Sequence, residues 1–192
     1  MSFPLKILVG ISVLFSLFMT VGFFLPSNYK VTKTVVINAE HGEVYPYLND
    51  LEEWPRWTVW NTENDETLKV KYGVKSKGEG ASQRWNGDKM GNGRLQIKES
   101  YPLEGVKFVM HLQDDRILMN GELKITPEME TQQTKIDWTC SGKLDHNPAR
   151  RYMGLMMNRM LEHDLESGLQ KLKKLVESEQ KLKQDTIKQE AK

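Results

Sequence analysis

From Ile7 to Leu25 the chain runs for nineteen residues without a charge, most of them Ile, Leu, Val, Phe or Met. A helix of that length rises roughly 28 Å, close to the hydrocarbon thickness of a bilayer. Charged side chains are kept out of such a segment because burying one in lipid is costly. There is no polar face to meet water, which argues against a helix laid on a soluble core. A cleaved secretory signal is the alternative, since Lys6 supplies a positive start. The run is longer than a usual signal core, and Gly22 to Ser27 lacks the small-x-small pattern a signal peptidase needs. The expectation is an uncleaved transmembrane anchor over residues 1–28.

The flanks give orientation only weakly. Lys6 and the α-amine stand at one end, Lys30 and Lys33 at the other, so the positive-inside rule is nearly balanced. A short positive lead favours a cytoplasmic N-terminus with the rest of the chain on the outer side. The one cysteine, Cys140, cannot form an internal disulfide and does not choose a compartment.

Beyond the anchor the composition is globular, with a net charge of +1 and no block of like charge that would suggest nucleic acid. Residues 29–176 suffice for one domain with one core. Residues 177–192 are mostly Glu, Lys, Gln and Asp, which reads as a fraying helix end or a disordered tail. Nothing in the sequence sets an oligomeric state.

Lys30 to Asn38 is rich in β-branched residues and reads as a first strand. Asn38 opens a helical stretch with Val44, Tyr47, Leu48 and Leu51 at helical spacing. Pro55 forces a bend after Trp54. Short strands follow over Leu68–Tyr72, Ala81–Trp85, Gly93–Tyr101, Val106–Leu112, Ile117–Ile125 and Lys135–Cys140, with turn signals between them. Asn147 and Pro148 start a last helix whose apolar stripe runs from Met153 through Met157, Met160, Leu161 and Leu165 to Val176. A strand, a helix, about six strands and a long helix make an α+β two-layer domain. A long helix across a curved antiparallel sheet tends to leave a cavity between them.

Several local sequences carry a resemblance. They are Val35 to Ala39, Tyr47 to Trp57, Gly91 to Ser100, Ile136 to Trp138 and Met153 to Met160. In this order they resemble the START-like polyketide cyclase/dehydrase family (SRPBCC), the broad group that includes Bet v 1-type proteins. The resemblance covers about Lys30 to Val176 and implies the helix-grip fold. It does not imply one activity, because the fold hosts lipid carriers, hormone sensors and cyclases. Members with an apolar N-terminal anchor look like bacterial envelope proteins, which implies the inner membrane with the domain on the periplasmic side.

Glu99 is the candidate acid or base. It shares parity with Leu95 and Ile97, so it is expected to point inward, where desolvation would raise its pKa. The competing reading is a rim residue paired with a Lys or Arg. Trp85 and Trp138, with Leu95, Ile97 and Phe108, are expected to wall the cavity from the sheet. Met153, Met157 and Met160 are expected to line it from the helix, methionine being adaptable to apolar ligands. The same residues would also serve as ordinary core, and for Trp85 and Trp138 that is the favoured reading.

The four histidines have no ligand spacing with a third donor, so no metal is expected. Gly91-x-Gly93 is a hairpin turn rather than a phosphate loop, and no cofactor is expected. The expected partner is a hydrophobic small molecule or lipid, held by burial of apolar surface. An enzyme using Glu99 and a non-catalytic envelope interaction module are the alternatives. A filled core would favour the module, and an open apolar cavity the carrier.

Overall fold

The computed structural model describes residues 3–144 and 148–190. Helix α1, Phe3–Phe24, is 22 residues long, about 33 Å at the usual rise. It is long and apolar enough to cross a membrane, and only 6% of its most apolar window is buried within the protein. Strand β1 spans Asn28–Ile37 and helix α2 His41–Asn49, followed by one 3-10 turn at Trp54–Arg56. Six strands come next: β2 Lys69–Tyr72, β3 Ser82–Gly87, β4 Gly91–Tyr101, β5 Gly105–Leu112, β6 Ile117–Glu128 and β7 Gln133–Lys143. Helix α3 runs from Pro148 to Glu190, 43 residues. The N-cap expected at Asn147 lies outside the described residues.

The seven strands form one antiparallel sheet in the order β1-β7-β6-β5-β4-β3-β2. Strands β2 to β7 meander through hairpins, and β1 closes the far edge by pairing with β7, Val31 opposite Cys140. With α2 and α3 on one face of the sheet this is the helix-grip fold, as the element order predicts. The second helix begins at His41, three residues later than its apolar spacing suggests.

Strict alternation decides which face is covered. Met119, Leu123 and Ile125 of β6 and Ile136, Trp138 and Cys140 of β7 are buried, and their neighbours face outward. Leu165, Leu169, Leu172 and Val176 of α3 are buried at helical spacing and belong to the same core. Each such side chain contributes about 1.5–3 kcal/mol by leaving water. Gly121 stands directly across from Phe108, and a Cβ at Gly121 would collide with that ring.

The space between sheet and helix is filled rather than open. Trp54 and Trp57, on the turn after α2, are 1% and 0% exposed. The indole of Trp54 lies edge-on to Phe108 at 5.1 Å, and that of Trp57 edge-on to Trp138 at 5.3 Å. Their N–H groups donate to the carbonyls of Leu48 at 3.0 Å and Tyr47 at 3.1 Å. The bend forced by Pro55 therefore swings two large rings into the volume where the sequence suggests a cavity.

Candidate functional site

Helix α3 divides into two stretches with different partners. Its C-terminal half is tied to the domain. Lys173 Nζ donates to the carbonyl of Val36 at 2.6 Å, and Glu177 accepts the backbone N–H of Asn38 at 2.9 Å. Farther on, Glu179 accepts from both Tyr47 and Arg56, and Gln180 donates to Glu43. Partial desolvation and the bond to Glu179 push the Tyr47 phenol up to about 12. The same two donors, Tyr47 foremost, hold the Glu179 carboxyl below the usual range.

The N-terminal turns of α3 meet α1 instead. Tyr152 stacks on Phe18 with ring centroids 4.2 Å apart, and its hydroxyl donates to the Phe18 carbonyl at 2.7 Å. Arg151 donates to the carbonyls of Phe23 and Leu25, satisfying groups that the end of α1 leaves free. At Gly22 an added Cβ would sit 2.7 Å from Pro148, so the helices approach closely there. On the other side of these turns Leu155, Met156 and Met160 are 51%, 68% and 64% exposed. With Arg159, His163 and Asp164 they line an apolar surface groove of about 500 Å³. Partial burial raises the Asp164 carboxyl above its ordinary pKa.

The residues expected at the cavity separate accordingly. Trp85, Leu95, Ile97, Phe108 and Trp138 all face α2 and α3 and are buried. Met157 is half-buried against the core. Met160 is on the surface groove, not the interior: it is 64% exposed, while its neighbour Leu161 is the residue that turns inward. Met153 lies on α3, but its side chain is outside the described residues.

Glu99 does not point inward. The register of β4 against β5 shifts between Ile97 and Glu99, so Ile97 opposes Phe108 while Glu99 opposes Lys107. This bulge at Lys98 flips the alternation. Ser100 takes the inward direction, where its hydroxyl bonds Tyr45 and Asn49 at 2.9 and 2.7 Å. Glu99 emerges on the outer face, paired to Lys107 at 2.6 Å, with its side chain 47% exposed. The rim-and-ion-pair reading of this residue is the one the geometry matches.

Sequence reasoning missed a set of buried polar atoms. Thr58 Oγ1, Gln83 Oε1, Trp85 Nε1 and Trp138 Nε1 have no hydrogen-bond partner among the described residues. Each unpaired buried group costs about 1–3 kcal/mol. Such atoms are suited to meet a polar group of a bound molecule, and nothing in the local sequence marks them. Cys140 is fully buried, its thiol pushed up to about 12 by desolvation, and is inert as a nucleophile. Among the described residues no three His, Cys, Asp or Glu side chains gather as metal ligands.

Comparison with solved structures supports the architecture. A protein from Chromobacterium violaceum, CV1439, is 17% identical, with a TM-score of 0.51 over 80% of this chain and 99% of that one. The hypothetical protein jhp0584 from Helicobacter pylori is 8% identical, with a TM-score of 0.59 over 77% of this chain and 88% of that one. Ara h 8.0201 is 7% identical, with a TM-score of 0.55 over 79% and 99%. At these identities the likeness is one of fold. No curated protein sequence matches the chain. The family model for polyketide cyclase / dehydrase and lipid transport matches residues 28–177. That match spans the whole sheet and α3 as far as Glu177, and the chain belongs to this family.

Proposed function

We propose that this protein is a membrane-anchored binding protein for a hydrophobic small molecule or lipid, with residues 1–28 as the anchor, 29–176 as the binding domain and 177–192 as a polar tail. Its family supports hydrophobic ligand binding in general. The observation that carries the finer reading is the contact between α1 and the start of α3. Phe18 precedes the end of α1 by six residues, about 9 Å along the axis. With α1 in a bilayer, Tyr152 would lie that far below the end of the anchor. The exposed Leu155, Met156 and Met160 would then face acyl chains rather than water.

Ligand uptake follows as a local event. An apolar molecule passes from the bilayer along the groove at Met156 and Met160. It reaches the interior by displacing Trp57, which sits on a turn and not on a strand. The unpaired Thr58 and Trp138 groups meet any polar part of it. The driving force is apolar burial, at roughly 25 cal/mol per Å². An inner-membrane anchor with the domain in the periplasm is part of this reading.

The filled core favours a second reading, a non-catalytic envelope interaction module. One experiment separates the two. The full chain is extracted from its native membrane in mild detergent, and co-purifying small molecules are identified by mass spectrometry. An apolar compound recovered in stoichiometric amount, and lost in a variant with bulky charged residues at Met156 and Met160, supports the carrier. Recovery of no compound beyond those in an unrelated single-span control would reject it.

A further inference from the structure

The outer face of the sheet, away from both helices, carries a second feature. Lys71 of β2 stands opposite Arg84 of β3, Arg84 opposite Arg94 of β4, and Arg94 opposite His111 of β5. Four basic side chains therefore form one straight row across four adjacent strands. At the usual strand spacing the row is roughly 14 Å long. Like charges directly opposite each other destabilise a sheet. A neighbouring row shows the usual remedy: Glu99 faces Lys107 and Lys107 faces Glu122, so the sign alternates.

The basic row is compensated at one end only. Asp115 reaches Arg94 through two bonds, 3.0 and 3.2 Å, and His111 at 3.2 Å. It does so from a turn in which Gln113, Asp114 and Asp115 all have positive φ, a conformation non-glycine residues adopt at a cost. Lys71 and Arg84 have no ion-pair partner among the described residues. Lysine on an edge strand guards against pairing with other sheets, which accounts for Lys71 on β2. It does not account for Arg84 and Arg94 on interior strands. The row borders a groove of about 640 Å³, which Gln96 and Lys98 also line.

We propose that this groove binds a phosphate-bearing anion with two or more negative charges. Arg84 is the central donor, since its guanidinium offers a planar fork suited to phosphate oxygens. Lys71 supplies a second charge, and Arg94 a third when Asp115 yields. The chemistry is shared by a phospholipid headgroup and a soluble phosphate ester. The proposal does not rest on the membrane reading.

The test uses the full chain in phosphatidylcholine nanodiscs, titrated with inorganic pyrophosphate by calorimetry at low ionic strength. Saturable binding is expected, weakened about tenfold by Arg84→Gln or Lys71→Gln. Asp115→Asn is expected to tighten binding, and Lys107→Gln on the alternating row to leave it unchanged. Arg84→Gln is also expected to keep or raise the denaturation midpoint, because it relieves repulsion. A second arm mixes the nanodiscs with vesicles of phosphatidylcholine, with or without phosphatidic acid. Co-sedimentation only with phosphatidic acid, lost in Arg84→Gln, assigns the anion to a lipid headgroup. Pyrophosphate binding without co-sedimentation assigns it to a soluble ester. No saturable binding in either arm, or equal weakening by Lys107→Gln and Arg84→Gln, would overturn the proposal.

Discussion

Replacing Trp57 by alanine tests the filled interior directly. The ring is fully buried, edge-on to Trp138 at 5.3 Å and tilted against Trp54 at 5.5 Å. Removal of a buried Trp costs about 3–5 kcal/mol in transfer and cavity energy. The bond from its N–H to the Tyr47 carbonyl is lost as well, about 1 kcal/mol more. The expected loss is therefore about 5 kcal/mol. At about 2–4 °C per kcal/mol for a domain of this size, the melting temperature should fall by about 10–20 °C. The assay is thermal and urea unfolding of the full chain in detergent, followed by near-UV circular dichroism. A cavity on the order of 150 Å³ lined by rings stays dry and takes up a small aromatic. Millimolar indole should therefore return part of the lost stability to Trp57→Ala and none to wild type. A loss below about 1 kcal/mol, in the range of ordinary substitutions, would show that the ring is not what fills the interior.

Other expectations follow from the same packing. Leu165→Ala should cost about 2–5 kcal/mol in chemical denaturation, and Met160→Ala under about 0.5, because one is enclosed and the other lies on the surface. Glu99→Gln should leave both the denaturation midpoint and the recovery of co-purifying compound unchanged, since an exposed ion pair is worth under about 1 kcal/mol. A loss of bound compound in that variant would restore Glu99 to the site. The Asp65 carboxyl is held down to about 2, from 3.8, by the Thr67 hydroxyl and then by backbone N–H groups of Met90, Lys89 and Thr67. Its stabilisation should be complete above pH 3.8 and fade as pH falls toward 2, and Asp65→Asn should flatten that part of an acid-unfolding curve. Tyr47, raised from 10.0 to about 12, works in the opposite direction. Its stabilisation should hold below pH 10 and be lost as pH climbs toward 12, with Tyr47→Phe removing that slope.

Sequence pattern reveals an element wherever one face is dry. The alternation of β6 and β7 and the stripe from Leu161 to Val176 are legible because period 2 and period 3.6 follow directly from what each face touches. Glu99 was not legible, because a bulge resets parity without changing composition. The adjacent pair Lys98 and Glu99 was the available hint, since two successive charges do not suit a strand with one buried face. Spacing assigns Met160 to the stripe, but it faces outward beside it, and apolar spacing alone does not say that the first turns of α3 also rest on α1. Trp54 and Trp57 read locally as a bend, and their role depends on Phe108 and Trp138, dozens of residues away. The basic row is invisible until register is known, since Lys71, Arg84, Arg94 and His111 are scattered along the chain.

Only Leu25, Pro26 and Ser27 separate α1 from β1. Three extended residues reach roughly 10 Å. With Arg151 and Tyr152 gripping α1 as well, the domain is held by a bracket instead of a leash. On the carrier reading proposed above, such a domain would not swing away from its anchor to deliver a cargo at a distance, as a domain on a long flexible tether does. On that reading any acceptor would have to come to it, or sit within the same membrane. A long Gly-Ser insertion after Leu25, together with loss of the Tyr152 ring, would turn the bracket into a tether and make the distance of delivery measurable.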